Sequence, residues 1–234
     1  MKQQNGNVLF IILITIALFG ALSLAVMESG RSGQNIDQEK TLIGVSEMIQ
    51  YAEAVSTAIG RMKFLHDCQY AEISFDSDAW PENIYENATG TNKCSVFHPD
   101  GGGLSVATPP QAVLSDVNGV ISHEESALGH YFFDSRRHVV GIGADGDAAR
   151  ELLIRVQVTE AACQEINKRI RGTTSIPTDN FAYWQWANNT VVGSQSSLGT
   201  ATHCPECENR STMCFLQTGG TNDVHQFYHV VYAR

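Results

Sequence analysis

An α+β fold is predicted for this chain: a long N-terminal helix, membrane-spanning and then amphipathic, packed on a small antiparallel sheet head whose long loops are pinned by disulfides. Three observations predict it. The run from Val8 to Val26 contains no charged residue. Beyond it, Leu42, Val45, Met48, Ile49, Ala52, Val55, Ile59 and Met62 recur at three- and four-residue steps, which is one stripe of a helix. After residue 64, short β-branched and aromatic runs alternate with Gly, Asp, Asn and Pro, and all six cysteines fall there.

The elements follow in order. Residues 1–6, MKQQNG, form a polar leader with a single lysine. Residues 7–27 carry the transmembrane part of the long helix, because Val8–Val26 spans about 28 Å at the helical rise, close to the thickness of a hydrocarbon core. Thr15 and Ser23 are its polar side chains, and their hydroxyls can bond back to the helix. A cleavable secretory signal fits less well, since the apolar run exceeds an ordinary h-region and LSLAVME offers a poor exit for signal peptidase. Lys2 favours an N-terminus inside, with Arg31 and Lys40 counting against it on the other flank. Residues 28–64 continue the helix as its amphipathic half, loosened around Gly30 to Gly33. Gly44 and Gly60 each cost about 1 kcal/mol of helix propensity relative to alanine.

Residues 65–234 are read as an extracytoplasmic head. Strands are expected at 70–75, 94–97, 130–134, 138–143 and 152–158, with VHQFYHVVYAR closing the sheet. TEAACQEINKRIRG, 159–172, reads as a short helix with Thr159 as N-cap, acids early, bases late and Gly172 as the stop. Irregular segments are expected at 76–93, 98–129 and 173–223. HPDGGGL, 98–104, reads as a flexible turn. FAYWQWANN, 181–189, reads as buried packing or an adhesive patch.

Charge and cysteine usage narrow the partners. A net charge of −10 with no basic run argues against nucleic acid, because nothing can displace counterions from a phosphate backbone. Six cysteines beyond the apolar segment suit an oxidising compartment. Several connectivities are open to them. The pairing taken is Cys68 with Cys94, Cys163 with Cys214, and Cys204 with Cys207, the first closing a loop worth about 3 kcal/mol in the chain-entropy model.

Two loops invite chemistry. HCPEC, 203–207, has redox spacing, and with Cys214, His203, His225 or His229 it could form a zinc site. Asp145 and Asp147, with Glu151 beyond, read as a hairpin turn leading into a strand, the alternative being oxygen ligands for a hard cation. No resident cofactor is expected, with calcium and zinc as the candidates weighed. No nucleophile elbow, zinc-protease helix, Walker loop or dinucleotide fingerprint occurs, so no catalytic residues are assigned and the chain is not expected to be an enzyme. Asn87, Asn188 and Asn209 begin N-x-S/T triplets, which arise often by chance.

The leader ending in Gly6, the apolar run beginning at Asn7 and the amphipathic extension to about residue 64 resemble the N-terminus of type IV pilins and type II secretion pseudopilins. The resemblance covers this N-terminal part only. It implies that a prepilin peptidase cuts Gly6–Asn7 and methylates Asn7. It implies a structural subunit of a filament or secretion pseudopilus, homo- or hetero-oligomeric through the N-terminal helix. The subunit would be inserted in the inner membrane, with its head in the periplasm or on an extracellular filament. The family usually begins its mature chain with Met or Phe and carries a glutamate five residues in; this chain has Asn7 and Ile11 there. The alternative is a single-pass anchored extracytoplasmic binding protein that does not polymerise.

Overall fold

The computed structural model describes residues 7–29, 33–75, 92–116, 129–144, 151–180, 197–218 and 222–233. The chain divides into two units, 1–40 and 41–234.

In the first unit, α1 runs Asn7–Ser29, and α2, Gly33–His66, begins there and continues into the second. Leu, Ile, Ala and Phe dominate α1, and no glycine or proline other than Gly20 interrupts it. The side chains of α1 are described over 10–23, a length short of a bilayer's thickness, and among the described residues no helix is long and apolar enough to cross a membrane.

In the second unit, α2 buries Val45, Met48, Ala52, Val55, Ile59 and Met62, so the predicted stripe is the face that meets the head. The partners include Phe133, Leu152, Ile154, Val156 and Phe227 on one face of a sheet. Gly44 has a packing reason that Gly60 lacks. A Cβ at Gly44 would lie 2.9 Å from Val113 Cγ1 and 3.2 Å from Pro110 Cβ, whereas one at Gly60 would meet nothing within 4 Å.

The sheet has six strands in the order β3-β5-β6-β2-β1-β4: β1 Phe132–Val139, β2 Glu151–Val158, β3 Thr178–Asp179, β4 Ser197–Leu198, β5 Thr212–Gln217 and β6 Val224–Tyr232. The four inner strands pair antiparallel, while β3 and β4 add parallel pairs at the edges, so the head is not the purely antiparallel sheet expected. His203 forms bridges to Asp179 at the end of β3 and to Thr200 just beyond β4, linking the two edge strands and curling the sheet. The concave side thereby gains its own core of Val139, Leu153, Leu198, Met213, Phe215, Tyr228 and Val230. Both faces of β2 are buried along its whole length.

Other expectations change. The segment 70–75 is a 3-10 turn at Tyr70–Glu72 followed by a single parallel bridge, Ser74 to Ser95, and 94–97 supplies only the other half of that bridge. The disulfide Cys68–Cys94 draws these segments together without a ladder. The runs 130–134 and 138–143 belong largely to one strand, β1, which passes through the intervening polar residues with a bulge between Asp134 and Arg137. It ends at Val139, where Gly141 and Gly143 take positive φ. α3, Glu160–Arg171, has Thr159 as N-cap, accepting from the Ala162 N–H at 3.3 Å, and stops at Gly172 in the left-handed region.

Candidate functional site

The surface of α1 is the largest exposed apolar feature among the described residues. Phe10, Ile14, Ile16, Phe19 and Leu22 stand exposed around the helix, with Phe19 77% accessible. The Thr15 hydroxyl donates to Ile11 O at 2.8 Å, and Ser23 donates to Phe19 O at 2.9 Å, so these side chains consume their own polarity. Gly20 has open space where a Cβ would stand, and Ala17 and Ala21 flank it, giving a notch for a second helix to approach. Asn7 is the first helical residue, while Gly6 lies outside the described residues. Ile11, where the resembling family has a glutamate, is exposed and aliphatic.

From Leu42 onward α2 is fixed to the head by polar contacts around its apolar face. Arg169 of α3 donates to Leu42 O at 2.9 Å and to Ser46 Oγ. Ser56 donates to Val231 O at 3.1 Å. The Tyr51 hydroxyl donates to Ser105 O and accepts the Ala107 N–H, both at 3.3 Å; burial pushes it up to about 12. The Arg61 guanidinium donates to Gly101 O and Gly102 O.

The turn expected at 98–104 is present, hydrogen-bonded through its own backbone and packed against its neighbours. Gly101 and Gly102 are buried, and a Cβ would lie 2.3 Å from Ser95 O at the first and 2.2 Å from Val96 O at the second. The glycines let two backbones pack where no side chain fits. Gly102→Ala is expected to cost about 2 kcal/mol, read as a lower urea midpoint at unchanged slope.

The six cysteines form Cys68–Cys94, Cys163–Cys214 and Cys204–Cys207, leaving no free thiol. The zinc reading of 203–207 is therefore set aside, because a disulfide sulfur offers no thiolate. Cys204 and Cys207 are fully buried in the concave core, away from any thiol reductant, which removes the redox reading too. His203 instead holds the curl, its Nδ1 3.0 Å from Asp179 Oδ1. His225 and His229 lie on β6.

Asp145 and Asp147 lie outside the described residues. Glu151 is buried and engaged: Oε2 accepts the Val139 N–H at 2.8 Å, and Oε1 lies 3.3 Å from His138 Nδ1. Burial raises its pKa. Among the described residues no cluster of three or more His, Cys, Asp or Glu could hold a metal ion.

No local pattern announces the charged cluster on the concave face. Arg155 and Asp134 are almost wholly buried, with Arg155 Nη1 donating to Asp134 Oδ2 at 2.9 Å. Arg137 Nε lies 3.7 Å from the same oxygen, and Arg155 Nη2 reaches Gln226 Oε1 at 3.5 Å. In LLIRVQV, Arg155 takes an alternating position that reads as the solvent side of a strand. Only the curl makes that side an interior.

His229 gives the head an acid-sensitive element. Burial pushes it down to about 4, with Thr212 Oγ1 2.6 Å from its Nδ1. A histidine depressed in the folded state contributes stability that is present above its unfolded pKa and lost as pH falls toward the folded value. Between about pH 6.5 and 4, His229→Gln is expected to flatten the decline in unfolding free energy relative to the parent, measured by urea titration at each pH.

No protein-family model matches the chain, and neither does any curated protein or solved structure.

Proposed function

We propose that this chain is a pilin-like or pseudopilin-like structural subunit, assembled through its N-terminal helix. The observation that carries the reading is the pairing of two helices of different surface. α1 exposes apolar side chains all round and satisfies its own hydroxyls, and α2 commits one apolar face to the head. A bare anchor needs only the first of these. In this reading Val8–Val26 is the membrane span, taken from the sequence, and α1 packs in a bundle of sister helices whose close approach uses Gly20. The head stands on the oxidising side, in the periplasm or on a filament, where three disulfides persist. The partners are a prepilin peptidase, the membrane and further copies or related subunits.

A photo-reactive residue at Leu13 tests the assembly. Irradiated membranes should yield a series of multiples of the subunit mass, and Gly20→Leu should shorten that series. Monomer alone would favour the non-polymerising anchored binding protein.

A further inference from the structure

We draw no further inference here: the strongest candidate, the cluster of Gln157, Gln217 and Gln226 on the concave sheet face, whose buried Oε1, Oε1 and Nε2 atoms have no hydrogen-bond partner among the described residues, is packed too closely to admit a ligand, and nothing in the described residues shows what covers it.

Discussion

Replacing Asp134 by alanine is expected to lower the unfolding free energy of the head by about 3–5 kcal/mol. Arg155 is fully buried, and its Nη1 sits 2.9 Å from Asp134 Oδ2. Removing the carboxylate leaves an interior guanidinium with Arg137 beside it and no compensating charge from that residue. Asp134→Asn keeps the volume and one acceptor but not the charge, so most of the loss should remain. The double variant Asp134→Leu, Arg155→Met should recover stability relative to Asp134→Ala, because an apolar pair of similar volume has no charge to desolvate. Urea unfolding followed by tryptophan fluorescence and circular dichroism measures all three. A loss under about 1 kcal/mol for Asp134→Ala would mean that Arg155 reaches water or finds another anion.

Replacing Cys163 and Cys214 by alanine together is expected to cost about 4 kcal/mol, against about 3 for Cys68 with Cys94 and about 2 for Cys204 with Cys207. The order follows the sequence separations of 51, 26 and 3 residues. The first bridge also ties α3 to β5 at a point where Asn167 Nδ2 donates to Cys214 O at 2.8 Å and Asn167 Oδ1 accepts the Cys214 N–H at 3.1 Å. Denaturant midpoints of the three double variants, each confirmed by intact mass, test the ranking. A reversal between the longest and shortest loops would show that packing around Cys204 and Cys207 outweighs chain entropy.

What the sequence disclosed depended on whether an element carried a local signal. α3 carries a cap, a charge gradient and a glycine stop within its own residues, and its bounds are those the structure shows. The face of α2 was legible for the same reason, since helical period and burial coincide. β5 was hidden inside an expected irregular segment. TMCFLQ is buried on both faces, so it shows no alternation, and it pairs with residues that follow it only after a turn. The charged residues before His138 looked like a break between two strands, yet Arg137 is interior and the bulge keeps β1 continuous. The cluster of Asp134, Arg137 and Arg155 depends on the curl made through His203, a long-range event that no window of sequence reports.

The claim that the N-terminal helix is processed for assembly is tested most directly by the intact mass of the full chain, recovered from membranes of a host that has a prepilin peptidase. Loss of residues 1–6 with a methyl group on Asn7 is the expected result. An uncleaved Met1, or a new N-terminus near residue 27, would contradict it.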